Sequence, residues 1–344
     1  MTVSPRPDVA PPPAPAPPEG RRRGVRRRHV VAGLLLLAAG AVGSLFIGVT
    51  DLTPRDLLDP TEAQTRVFLV SRVPRLVAIL LAGSAMSVAG LVMMTLTRNR
   101  FVSPSTAGTT EWAGLGIVVA TLWFGGTSVF GKMSIAIAFA LLGTFLFLRL
   151  LQRMVLTDMI VVPLVGIMLG GVVSAAAMFL AYRSDLLQSM DAWTNGDFSG
   201  VLAGRYELLW AVAGATVVAY LFADRFSVAG MGESFAINLG IAYTRVVTTG
   251  LVIVSVVTAI VVVTVGAIPF LGLVVPNLVT LALGDNLRRA LPVTALAGAA
   301  FVLVCDVIGR TIRYPYEIPV GSVVGVVGGV LFIALLLRTR TRDV

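Results

Sequence analysis

The sequence has few of the residues that carry chemistry in enzymes and metal proteins. It contains one cysteine, Cys305, and one histidine, His29, among 344 residues. A single cysteine excludes an internal disulfide. One cysteine and one histidine are too few for a cysteine–histidine zinc cluster. The one possible histidine base, His29, lies in the basic N-terminal segment. We therefore expect no enzyme activity in this chain and no metal or cofactor bound directly by it.

Charged residues are also scarce. They make up 13% of the chain, whereas hydrophobic residues make up 56% and the mean hydropathy is +0.90. A soluble domain of this length could not stay dissolved with such a composition, which is typical of a polytopic membrane protein. The net charge of +9 does not indicate nucleic-acid binding, because the arginines lie in a tail and in short loops between apolar runs, where they act as topology signals.

The first 29 residues differ in composition from the rest. A tract rich in proline and alanine is followed by RRRGVRRR at 21–28, and such a segment has nothing to bury. We predict a disordered cytoplasmic tail over 1–29 and one transmembrane domain over 30–344. The run at 30–49 is long enough to span a bilayer, so it is predicted to be the first span and not a signal peptide.

Apolar runs of spanning length recur along the remaining chain, each bounded by charge, proline or glycine. The predicted fold class is all-α, a polytopic membrane protein with about ten transmembrane helices. The arginine-bearing loops then fall on one side, which places the N- and C-termini in the cytoplasm of a multi-pass protein of the cell (plasma or inner) membrane. The predicted spans are 30–49, 69–95, 107–124, 132–150, 159–182, 207–223, 244–265, 267–284, 291–309 and 319–337.

Glycine and proline mark two of these spans. Gly266, Pro269, Gly272 and Pro276 interrupt the eighth, and glycines at four-residue spacing, beginning at Gly321, line the tenth. Small residues let helix backbones approach closely in lipid. A broken helix lining a transport pathway is the other interpretation, and the residues leave both open.

The segment 224–245 is the one long polar interruption in the second half of the chain. Its amphipathic spacing predicts short helices, and its charges keep it out of the hydrocarbon. We therefore predict helices at about 225–243 on the cytoplasmic membrane face, where another protein can hold them.

Five segments in order resemble the FecCD-type permeases of ABC importers, which take up ferric siderophores, haem or vitamin B12. The resemblance covers roughly residues 65–340 and implies a type II importer fold. It also implies a second permease subunit around a central pathway, two ABC ATPase subunits that use the ATP, and an extracytoplasmic substrate-binding protein. The segments are RVPRLVAILLAGSAMSVAG (72–90), RNRFVSPSTAG (98–108), MGESFAINLG (231–240), GAIPFLGLVVPNL (266–278) and DVIGRTIRYPYEIPVG (306–321).

The resemblance also implies roles for particular residues. The phrase G-E-x-x-A-x-x-L-G of the coupling helices, which contact the ATPase, matches Gly232, Glu233, Ala236, Leu239 and Gly240. A surface turn with no partner is the alternative for this segment.

Three arginines match the residues that dock the binding protein in this family, namely Arg72, Arg75 and Arg310. The alternative is that they cap helix ends or extend to the membrane interface. The candidates for the pathway and its gates are Trp193, Gly196, Pro276, Asn277 and Glu111. Trp193 also fits an interfacial aromatic belt, and Glu111 also fits a solvated or arginine-paired carboxylate.

Two departures from the family pattern bear on the substrate. The chain has RNRFVSP at 98–104 where many members have RNPLA-x-P, and Asn277 where many have histidine after the proline. This variant, with Glu111 following, resembles a branch associated with catecholate or mixed citrate–catecholate siderophores, and it favours a heterodimer of permeases over a homodimer. The expected function is ATP-driven import of a ferric siderophore, with haem or vitamin B12 as alternatives inside the family.

A transporter driven by protons or sodium is the rival class. It would need paired ionisable residues near the middle of the membrane, and the sequence supplies no clear pair.

Overall fold

The computed structural model describes residues 27–48, 59, 61–126, 128–153 and 161–340, and the chain is all-α throughout these ranges. Most of the predicted tail, residues 1–26, lies outside the described residues. The helices are α1 (Arg27–Phe46), α2 (Glu62–Val67), α3 (Val73–Leu96), α4 (Thr109–Trp123), α5 (Val129–Arg153), α6 (Val161–Arg183), α7 (Leu187–Thr194), α8 (Leu209–Leu221), α9 (Ala223–Gly230), α10 (Glu233–Asn238), α11 (Tyr243–Val265), α12 (Leu271–Leu283), α13 (Leu287–Thr311) and α14 (Val320–Arg340).

Apolar helices occupy all ten stretches in which spans are predicted. In the described ranges, six helices are long and apolar enough to cross a membrane, and the bent pair of α8 and α9, with 61° between its members, would make a seventh. Val30–Phe46 of α1 and all of α12 are shorter apolar helices. The predicted all-α, polytopic membrane fold is confirmed.

Helix α3 lies at the centre of the bundle. Together with α2 and a π-helical turn at Phe68–Arg72 it forms one helix of 35 residues, and 72% of its most apolar window is buried, against 28% for α5, α6 and α14. Helices α8, α11, α12 and α13 pack around α3. The helix is about 50 Å long, whereas the hydrocarbon core of a bilayer is about 30 Å thick. One end of the central helix therefore projects beyond the hydrocarbon.

Glycines set the closest helix crossings. A Cβ atom at Gly90 in α3 would overlap the carbonyl oxygen of Gly272 in α12, and one at Gly83 would lie 2.8 Å from the carbonyl oxygen of Gly298 in α13. Pro276 has no N–H, so the Gly272 carbonyl at this crossing lacks the hydrogen bond that the residue four positions later would normally donate within the helix. Backbone packing through small residues, one of the two interpretations of the interrupted eighth span, is what the structure shows here.

Two predicted boundaries were wrong, and one segment between spans contains a helix. The eighth span was expected from 267, but α12 begins at Leu271, because Gly266 and Phe270 have positive φ angles of 82° and 58° that no helix continues through. The second span was expected from 69, but a helix begins at Glu62, where Thr61 forms a capping box with Gln64. The loop expected at 183–206 contains α7.

Candidate functional site

The face of the bundle that carries α9 and α10, here called the α9–α10 face, holds the residues of the predicted coupling segment. Helix α9 is anchored by buried Ala223, Phe226 and Ala229. Gly232 caps α10 with a φ of 120°, which disfavours residues with a side chain. A Cβ atom there would also lie 3.2 Å from the Arg98 guanidinium.

Helix α10 ends in a Schellman motif. The amide of Ile241 donates to the carbonyl of Ala236 at 2.9 Å, the amide of Gly240 donates to the carbonyl of Ile237 at 2.9 Å, and Gly240 has a φ of 74°. Ala236 is fully buried and Glu233 is exposed in the first turn. The glycines and alanine of the predicted segment thus build the helix, while its glutamate faces outward.

Large apolar side chains are exposed along the same segment. Phe235 is 47% exposed, and Met231, Ile237 and Leu239 are each more than half exposed. Exposed apolar surface of this kind is typical of sites that bind a protein, a membrane or a ligand. Next to this patch, a concavity of about 570 Å³ lies between the loop after α3, helix α9 and the turn before α13. The α9–α10 face therefore carries exposed apolar side chains beside a concavity.

The segment RNRFVSPSTAG forms the loop after α3 on this same face. Asn99 Oδ1 accepts from the Phe101 amide at 2.9 Å, and Thr106 Oγ1 donates to the Phe101 carbonyl at 3.0 Å. Asn277 joins the loop to α12, because its Nδ2 donates to the Arg100 carbonyl at 2.7 Å and to the Leu273 carbonyl at 2.8 Å. Asn277 thus holds the loop and helix together.

Glu111 lies in the first turn of α4, close to the same end of the bundle. Its Oε2 accepts from Thr110 Oγ1 at 2.8 Å, and it faces α6, since a Cβ atom at Gly170 would lie 3.3 Å from that oxygen. In the described ranges no ion pair to Glu111 is found. It is a partly buried carboxylate bonded to a hydroxyl group.

Gly196 lies at the opposite end of the bundle. It has a φ of 58°, and its carbonyl accepts from the Gly321 amide at 3.0 Å. A Cβ atom at Gly196 would lie 2.6 Å from the Ala267 carbonyl oxygen. Trp193 lies in α7, and its side chain is outside the described residues. The pathway candidates thus fall into two separate groups, with Gly196 and Trp193 at one end and Glu111, Pro276 and Asn277 towards the other.

The three candidate docking arginines share that opposite end, here called the arginine face. Arg75 Nε and Nη2 donate to Asp306 Oδ1 at 3.0 and 2.8 Å, and its Nη1 donates to Glu317 Oε2 at 2.6 Å. Arg72 is half-buried and donates to the carbonyl of Ile47. The fold brings these arginines to one end of the bundle and supplies them with hydrogen-bond acceptors from the chain itself.

Arg310 does not face the surface. Its side chain is 3% exposed, and it is bonded to Asp306, to Ser44 Oγ and to the carbonyls of Ser44 and Ile47. Its guanidinium links α13 to α1 in this structure, and the docking role of Arg310 stays a prediction.

Sequence reasoning assigned no role to Asp306, Glu317 or Ser44. Asp306 and Arg310 are four residues apart, a spacing that places them on one helix face and predicts the pair. Glu317 carries no comparable local signal, because its partner Arg75 is 242 residues away in the chain.

The chain matches a known protein family over most of its length. The model of the FecCD transport family matches residues 35–338. This chain belongs to the FecCD transport family. It is therefore a multi-pass membrane permease and not an enzyme.

Relatives of this FecCD-family chain align over almost their full length. The petrobactin import system permease protein YclN of Bacillus subtilis (strain 168) is 51% identical over 306 residues, covering 89% of this chain and 97% of the relative. The ferric-anguibactin transport system permease protein FatD of Vibrio anguillarum is 41% identical, covering 86% and 94%. The vitamin B12 import system permease protein BtuC of Citrobacter koseri is 34% identical, covering 93% and 96%.

A solved structure shares the fold. It is an inward-facing conformation of a metal-chelate type ABC transporter, with a TM-score of 0.78 and 25% sequence identity, covering 91% of this chain and 100% of that one. The chain thus has the fold of a type II ABC importer permease.

Proposed function

We propose that this chain is the permease subunit of an ATP-driven importer for a ferric siderophore. The observation that carries the proposal is the 51% identity with a petrobactin import permease along nearly the whole chain, against 34% for a vitamin B12 import permease. Within this class we propose a catecholate-type siderophore, on the basis of RNRFVSPSTAG followed by Glu111.

The α9–α10 face is proposed to receive the ATPase. A permease without a nucleotide site must take up force through a rigid element, and α9 is anchored by its buried side chains while α10 projects. The exposed apolar residues of α10 would enter the ATPase surface, and Glu233 would orient the contact. ATP is used in the partner subunits, and this chain binds no cofactor directly.

The arginine face is proposed to dock the substrate-binding protein. Arg72 and Arg75 are the charged groups that carboxylates of a partner would meet, and such pairs steer the encounter more than they add affinity. With these roles, the arginine face is proposed to lie on the extracytoplasmic side of the membrane, and the α9–α10 face and both chain termini in the cytoplasm.

The pathway is proposed to run between this chain and a second permease subunit, with a heterodimer favoured. Trp193 and Gly196 would narrow its outer end, and Glu111, Pro276 and Asn277 would shape its inner end. Two ATPase subunits, a binding protein and the ferric siderophore complete the set of partners, and nucleic acid is not among them.

Uptake of radiolabelled iron tests the proposal. Cells carrying wild type, Glu233→Arg or the control Glu207→Arg are given ferric petrobactin, a ferric hydroxamate or labelled vitamin B12, while ATP and the proton gradient are depleted separately. We expect ferric petrobactin uptake that follows ATP, because charge reversal at an ATPase contact costs several kcal/mol. Glu233→Arg should reduce uptake at least about tenfold with unchanged membrane levels.

The control Glu207→Arg makes the same charge reversal at the other end of the molecule, where Glu207 is bonded to the amide of Gly204. The ATPase subunits should still co-purify with this variant and should be lost from Glu233→Arg. Uptake that follows the proton gradient and ignores Glu233→Arg would contradict the ATP-driven mechanism. Uptake of vitamin B12 in place of the iron complex would contradict the substrate assignment alone.

A further inference from the structure

The two carboxylates that hold Arg75 do so in different ways. Asp306 is fully buried and shared with Arg310, and Arg310 is itself tied to α1. Removing one member of such a buried network leaves an uncompensated charge and is strongly unfavourable. The bond between Asp306 and Arg75 is therefore a permanent part of the fold.

Glu317 holds Arg75 far more loosely. It lies in the segment between α13 and α14, its side chain is 28% exposed, and one bond joins it to Arg75 Nη1. The Glu317 carboxylate is in contact with water, unlike that of Asp306, so hydration offsets much of what it loses on leaving Arg75. Glu317 can therefore leave Arg75 for water at little cost, while Asp306 keeps the guanidinium in place.

Arg75 has a carboxylate at its Nη1 atom before any partner docks. A carboxylate of an incoming protein that is to bind Arg75 through Nη1 must take the position that Glu317 occupies. Because one carboxylate replaces another at Nη1, this donor has an acceptor both before and after docking, so that neither state leaves it unsatisfied.

We propose that Glu317 is an exchangeable ligand of Arg75 that a carboxylate of the substrate-binding protein displaces on docking. Asp306 and Arg310 are positioning residues that hold Arg75 and do not touch the partner. Glu317 lowers the affinity of the docked complex and returns to Arg75 when the binding protein leaves, which favours release after delivery. This inference rests on the proposed function of the arginine face.

The test measures binding of the purified cognate substrate-binding protein to the complete transporter in lipid nanodiscs, by biolayer interferometry at physiological salt. We expect Glu317→Gln to lower Kd about two- to fivefold, the range for one partly exposed ion pair, mainly through slower dissociation. The matched control is Glu62→Gln, which removes the same charge from exposed Glu62 in the first turn of α2. Its Kd should change less than that of Glu317→Gln.

The positioning role is tested by double-mutant cycles. Arg75→Lys and Arg310→Lys are each combined with neutralisation of the acidic residues of the binding protein, one at a time. We expect a coupling energy for Arg75 with one partner carboxylate and none for Arg310. Coupling at Arg310 as strong as that at Arg75 would overturn its assignment as a positioning residue.

The outcomes separate this inference from the docking role itself. No binding by the wild-type transporter would refute docking at this face, and the exchange with it. Wild-type binding with equal or weaker binding by Glu317→Gln would overturn the exchange alone. Failure of Glu317→Gln to assemble, with Glu62→Gln intact, would also overturn it, because an exchangeable ligand cannot be required for folding.

Discussion

At the scale of single residues, glycines decide which helices can touch. Gly90 lies against the backbone of Gly272, whereas a Cβ atom at Gly171 on α6 would have no atom within 4 Å. These two positions are both helical, so a change to alanine at each separates the effect of packing from that of helix propensity.

We predict that Gly90→Ala destabilises the protein by about 1–3 kcal/mol, because α3 and α12 must move apart to admit the methyl group. Gly171→Ala should stabilise it by up to about 1 kcal/mol, since alanine is the better helix former. Thermal unfolding in detergent, followed by circular dichroism, gives the comparison. Equal melting temperatures for the two variants would show that the glycine contact does not limit the packing.

At the scale of elements, α10 carries exposed apolar side chains, which we propose meet the ATPase, and α9 attaches it to the bundle. The side chains of Ile237 and Leu239 are each 57% exposed. Substitution there should alter binding without altering the fold, whereas substitution of buried Ala236 should alter the fold.

We predict that Ile237→Asp combined with Leu239→Asp abolishes co-purification of the ATPase subunits, because the exposed apolar surface they would bury is lost. Ser234→Asp is the control, since Ser234 is also exposed on α10 and the change adds a charge without removing apolar surface. Melting temperatures of all variants should match that of wild type. ATPase subunits that still co-purify with the double variant would place the contact elsewhere.

The sequence was sufficient to predict the elements that depend on local composition. Apolar runs predict the ten apolar helices, and the polar segment 224–245 predicts α9 and α10. The start of α12 was missed because it depends on the backbone angles of Phe270, a residue that composition favours inside a helix. Likewise, the partners of Arg75 were missed because a contact across 242 residues leaves no local pattern.

At the scale of the whole molecule, α5, α6 and α14 are the outer helices, each with only 28% of its apolar window buried. Large side chains such as Val172 and Met168 of α6 and Val326 of α14 are more than half exposed. Lipid and a second permease subunit are the surroundings that can cover such surfaces.

We predict that native mass spectrometry of the transporter, purified through this chain, shows one copy of it with one different permease subunit and two ATPase subunits. Differential tagging of two copies of this chain supplies the control. Recovery of both tags in one complex would contradict the heterodimer and indicate a homodimer.

The glycine crossings also restrict which amino-acid substitutions this chain can accept during evolution. A Cβ atom at position 83 would press on the backbone at 298, and one at position 90 would press on the backbone at 272. A larger residue at position 83 or 90 therefore requires the facing backbone to move away. Both members of each pair are already glycine, so no second substitution at the partner position can make room for a side chain. We therefore expect double substitutions within a pair to be tolerated no better than single ones.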